Sequence, residues 1–93
     1  MENNVHSFNG QQPAMPDPSA LTQAAMMRMA RSLHADGHVH EAMETYCQLI
    51  ERYPDTEAAR VAMLGLVDLA QYCEEQGMPH IALQIYGKLE ELR

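Results

Sequence analysis

Three histidines stand close together in the stretch "HADGHVHEA": His34, His38 and His40, with Asp36 and Glu41 among them. Imidazoles and carboxylates are common ligands of zinc and related metals, so metal binding is the first chemistry this tract raises. A metal centre needs convergent ligands. If Gly37 makes a turn and Val39 points into a core, His38 and His40 leave the backbone on either side of Val39 and splay into solvent. His34 then falls in the last turn of a helix, where the helix dipole favours a cationic ring. The spacing favours a helix–turn–helix junction that carries imidazoles. A metal-binding protein using His34, His38 and His40 is the weaker reading, and the sequence assigns no metal site and no cofactor.

Other reactive groups point the same way. Cys47 and Cys73 both lie inside helical patterns and read as small apolar core residues. The chain has no Gly-rich phosphate loop, no nucleophile elbow and no HExxH pair. Glu41 with Glu44, and Glu74 with Glu75, read as solvated helix faces. No catalytic residues are assigned, and the expectation is a protein that is not an enzyme. The net charge is −7, from 13 acidic and 6 basic residues. The cations Arg28, Arg31, Arg52, Arg60, Lys88 and Arg93 are dispersed, whereas a surface that tracks phosphates needs them clustered. Nucleic acid and anionic membrane are therefore not expected partners. No apolar run approaches the roughly 20 residues of a membrane helix. "MENNVHSFNGQQPAMPDP" lacks the basic and apolar regions of an export signal, which makes the cytoplasm the expected compartment.

The elements that would hold these residues are helices. The apolar fraction of 46% leans on Ala, Leu and Met, with one Phe, four Tyr and no Trp. Good helix formers dominate and β-branched and aromatic residues are scarce, so an all-α fold is expected. Residues 1–17 are too polar to offset their chain entropy and are expected to form a disordered tail, leaving 18–93 as one helical domain. Asp17-Pro18 reads as a helix start, with an aspartate to cap and a proline that needs no donor. A first helix over 18–35 carries Leu21, Thr22, Met26, Met29, Ala30 and Leu33 at helical spacing. Gly37 ends it. A second helix, 39–53, carries Val39, Ala42, Met43, Tyr46 and Leu49, and Pro54 closes it. Asp55 or Thr56 caps a third, 57–76, with Ala59, Ala62, Met63, Leu66, Leu69, Ala70 and Cys73. Gly77 stops it, and Pro79 opens a fourth with Ile81, Ala82, Ile85, Tyr86, Leu89 and Leu92. Connections this short make four antiparallel neighbours.

The second half repeats the first at an offset of 40 residues, from Gly37 to Gly77. Ala42 and Tyr46 align with Ala82 and Tyr86, and Leu49 aligns with Leu89. Upstream, Met26, Met29 and Ala30 align with Leu66, Leu69 and Ala70. Each glycine permits a turn, each alanine lets two helices approach closely, and each tyrosine fills a groove that a small residue of the first helix (Ala30, Ala70) is expected to receive.

This pattern resembles two tetratricopeptide repeats, a helix–turn–helix unit of usually 34 residues. Met29-Ala30, Leu33, Gly37, Ala42, Tyr46 and Pro54 stand at the family's motif positions in the first unit. Leu69-Ala70, Gly77, Ala82 and Tyr86 do so in the second. The chain departs from the pattern in lacking tryptophan, in placing alanine where glycine is usual, and in a third helix expected to be about six residues longer than the family's. The resemblance implies a short α-solenoid of two hairpins that binds another protein. The implied docking surface is Met27, Arg31 and His34 from the first helix with Leu64, Val67, Gln71 and Glu74 from the third. The lysines and asparagines by which related chaperone-tail clamps hold a carboxylate are missing, and Met27, Leu64 and Val67 imply an apolar groove. A small adaptor or co-chaperone is the implied role, with a structural or assembly subunit of a larger complex as the alternative. Two repeats are few for a stable solenoid. Ile81, Ile85 and Leu92 are expected to remain uncovered on the fourth helix and to close on another chain, as a homodimer or an obligate hetero-complex.

Overall fold

The computed structural model describes residues 17–93; the expected tail lies outside these residues except for Asp17. The described residues form four helices and no strand: α1 Pro18–Ala35, α2 Val39–Arg52, α3 Glu57–Glu75 and α4 Pro79–Leu92. Pro18 occupies the first turn of α1, but the Asp17 side chain makes no cap hydrogen bond. The Asp17 contribution is its carbonyl, which accepts from the Leu21 N–H at 3.0 Å.

The turns inside the two hairpins share one construction. Gly37 has φ +79° and Gly77 has φ +76°, in the left-handed region that glycine enters without a Cβ penalty. Each closes its helix with two crossed backbone bonds. The His38 N–H donates to the Leu33 carbonyl at 2.8 Å and the Gly37 N–H to that of His34 at 3.0 Å; Met78 and Gly77 repeat this on Cys73 and Glu74. Gly37→Val is expected to cost more than about 1 kcal/mol, since a β-branched residue resists this backbone. The nearest atom to an added Cβ would be the Tyr72 hydroxyl at 3.6 Å, so strain and not collision sets the cost. Thermal unfolding checks it, and an unchanged midpoint would contradict the glycine turn.

The connection between the hairpins is built differently. The Tyr53 N–H donates to the Leu49 carbonyl at 3.0 Å and ends α2 ahead of Pro54. Asp55 takes a positive φ of 64°. Thr56 then caps α3: its hydroxyl accepts from the Ala59 N–H at 3.0 Å and donates to the Tyr53 carbonyl at 2.7 Å.

Each helix packs on the next, with lighter contacts from α1 to α3 and from α2 to α4, as in a short solenoid. α1 and α3 have 18 and 19 residues, so the length expected of the third helix alone belongs to both, and this gives the repeat its offset. Ala30, Ala42, Ala62, Ala70 and Ala82 are buried at the closest approaches, and Leu49, Leu66, Leu69, Ile85 and Cys73 are the largest fully buried side chains.

Two expectations about faces are corrected. Met27, not Met29, enters the core from α1; Met29 and Leu21 are exposed. The face that carries Leu21 and Met29 points away from α2, and no preceding hairpin covers it in the described residues. Ile85, expected on an uncovered face of α4, is fully buried, while Ile81 and Leu92 are half-buried against the core. α4 leans on α2 as well as on α3, so its covered arc is wider than a single antiparallel contact provides.

Candidate functional site

α1 and α3 lie side by side and frame an open cleft of about 500 Å³. Met27, Val61 and Leu64 give it apolar walls, Arg31 and His34 stand on the α1 side, and Asp68 stands on the α3 side. The cleft continues toward the start of α1, past Ala20 and Ala24 and across to Glu57 and Ala58. Tyr46 reaches its floor from α2.

The position of Tyr46 depends on a glycine inside α3. A Cβ on Gly65 would stand 2.5 Å from Tyr46 Cε1 and 2.6 Å from Cζ. The ring therefore lies directly against the α3 backbone, and the small residue that receives it is Gly65, not Ala30. The reason is geometric: Tyr46 points forward to the next hairpin, whereas Ala30 lies behind it under α2. Burial pushes the Tyr46 phenol above its ordinary range, and nearby Arg31 opposes that shift. Its counterpart Tyr86 is only half-buried.

The histidines do not converge. His34 meets the Tyr72 ring edge-on, with centroids 5.2 Å apart and planes at 65°, which ties α1 to α3 at one end of the cleft. His38 and His40 are exposed. Among the described residues no three His, Cys, Asp or Glu side chains are placed to hold a metal. Cys47 and Cys73 are free and buried, and burial pushes both thiols upward, away from nucleophilic thiolate.

Of the surface expected from sequence, Met27, Arg31, His34 and Leu64 meet in the cleft. Val67, Gln71 and Glu74 do not line it. Val67 is half-buried, Gln71 is exposed, and Glu74 is turned toward α4, where the Tyr86 hydroxyl donates to it at 3.5 Å. The α3 side is instead Val61, Leu64, Gly65 and Asp68, steps of three and four on one face. Continuing from Leu64 by three residues gives Val67 and by four gives Asp68. The apolar choice turned the expected face toward the core, and the polar residue marks the open side.

An open, elongated cleft between paired helices is the form of a helical-hairpin scaffold. Residues 24–56, which run from α1 through α2 to the start of α3, match the family model described as tetratricopeptide repeat. No curated protein and no solved structure matches the chain.

Proposed function

We propose that the chain is a small adaptor or co-chaperone that docks a segment of another protein in the α1–α3 cleft. The observation that carries this reading is Leu64, a large apolar side chain 65% exposed in the middle of a preformed groove whose base is Met27 and Tyr46. An exposed leucine alone means little, but one that continues an apolar wall is a contact for an apolar partner side chain. Arg31 on one rim and Asp68 on the other offer opposite charges to a bound segment, and His34 adds a ring that can hydrogen-bond to it. They suit an amphipathic helix or extended peptide laid along the groove. The free buried thiols fit a reducing compartment such as the cytoplasm.

Affinity capture with the full chain, compared with a Leu64→Arg variant, tests this reading. Residue 64 is exposed, so the variant is expected to keep its helical circular dichroism. The captured partner should fall at least tenfold, the equivalent of about 1.4 kcal/mol. Equal capture by both proteins would remove the cleft as the docking site.

The alternative role, a packing subunit of a larger assembly, draws on a different observation: Leu21 and Met29 on α1 and Leu83 on α4 are also exposed, at the two ends of the stack.

A further inference from the structure

The internal repeat shows what these exposed ends are shaped to meet. The offset of 40 residues pairs every position of α1 with one of α3, and every position of α2 with one of α4. α3 differs from α1 in having a hairpin packed in front of it, and α2 differs from α4 in having one packed behind it. Comparing equivalent positions therefore isolates the surface used at the hairpin–hairpin joint.

On the α3 side of the joint, Leu69 is fully buried; its equivalent on α1, Met29, is 56% exposed. Val61 is half-buried, whereas Leu21 is 51% exposed. Gly65, the slot for Tyr46, corresponds to Ala25, which is exposed and is the next smallest residue. On the α2 side, Met43 is buried and its equivalent Leu83 is 69% exposed. Tyr46 and Leu49 are buried, whereas Tyr86 and Leu89 are half-buried along an open groove that also includes Leu83 and Gly87.

The two faces left uncovered among the described residues are thus the two halves of the joint that already exists inside the chain. We infer that a second copy of this chain docks head to tail, with α1 of one copy seated on α4 of the next, so that Tyr86 packs over Ala25 as Tyr46 packs over Gly65. The pairing is one of shape and apolar surface, since charge is balanced on the α4 side, where Lys88 and Arg93 stand with Glu90 and Glu91. This contact is heterologous: it uses different surfaces on the two copies. Repeating it gives an open series or a ring and not a two-fold dimer. It uses neither Ile85, which is buried, nor the α1–α3 cleft, which it would extend from copy to copy.

The test uses two variants of the full chain, each blocking one face at an exposed position. Ala25→Trp fills the slot on α1, and Leu83→Glu places a carboxylate on the apolar face of α4. Both are expected to keep wild-type helicity. In sedimentation equilibrium the wild type should rise in average mass with concentration, and each variant alone should stay at the 10.5 kDa of one chain. Mixed, the variants should form a 1:1 complex of about twice that mass and nothing larger, because each retains the face the other has lost. Three results would overturn the proposal. One is a wild type that remains a single chain at every concentration, as capping of either face by its own residues 1–16 would give. A second is assembly of Ala25→Trp on its own, which a two-fold α4–α4 contact would give. The third is a mixture that stays monomeric although both variants are folded.

Discussion

Gly65→Leu is expected to destabilise the protein by about 2–3 kcal/mol, near the upper end of the cost of overpacking a core. The glycine lies inside α3, where leucine is a better helix former by roughly 0.8 kcal/mol, so local propensity alone would make the substitution stabilising. Packing decides the sign. Even a lone Cβ would stand 2.5 Å from a ring carbon of Tyr46, and the ring is buried. Tyr46 must leave its site, or α2 and α3 must separate. For a domain of this size about 1 kcal/mol moves the thermal midpoint by roughly 4–8 °C, so a loss of about 10 °C or more is expected. The same substitution made in a Tyr46→Ala background should be close to neutral or stabilising, because the clashing ring is gone. Thermal or urea unfolding of the four proteins gives the coupling between the two positions, expected in the upper part of the roughly 0.5–3 kcal/mol seen for contacting residues. Additive effects would mean that Gly65 is not the seat of Tyr46.

Gly65 also marks where the sequence stops being legible. Helix ends can be read because their causes are local: Gly37 and Gly77 follow an apolar stripe directly, Pro54 forbids continuation, and Thr56 has its N–H partner three residues on. The repeat is legible for the same reason, since its turn glycine, alanine and tyrosine fall at fixed intervals. A glycine within a helix carries no such signal. It reads as a propensity defect until the ring that needs the space, on another helix, is known.

The choice of face failed for a related reason. Met26, Met27 and Met29 point in different directions from one short stretch of α1, and all are apolar. Only the placement of α2 decides that Met27 goes in and Met29 stays out. On α3 the face opened at Leu64 as expected, but its continuation depended on whether Val67 or Asp68 shared it. Hydrophobicity answers which residue belongs in a core, and that answer turned the docking face inward by one residue. Ile85 shows the converse. A stripe on the last helix looks uncovered in sequence because a sequence shows neighbours along the chain, whereas α2, two elements away, supplies part of the cover.

That burial has a sharp consequence. Ile85→Glu is expected to unfold the second hairpin, whereas Leu83→Glu, two residues away, is expected to be tolerated. Removing the isoleucine forfeits roughly 1.5–3 kcal/mol of burial. The carboxylate that replaces it would be buried without a partner, which costs several kcal/mol unless the group takes up a proton. The sum exceeds about 4 kcal/mol, a large part of the roughly 5–15 kcal/mol that holds an ordinary domain together. The protonated escape route gives the effect a pH signature. In any folded molecules the introduced carboxyl would have its pKa raised above the ordinary glutamate value of about 4.3. The variant is then least destabilised below that value, and its stability falls as pH rises through the raised pKa. Ile85→Gln, with similar bulk and no charge, should be destabilised without that dependence. Circular dichroism melts of the three variants on either side of the ordinary glutamate pKa, near pH 4 and near pH 7, read all of this. An Ile85→Glu protein with wild-type melting at both pH values would place residue 85 at the surface, and with it return α4 to a single antiparallel contact with α3.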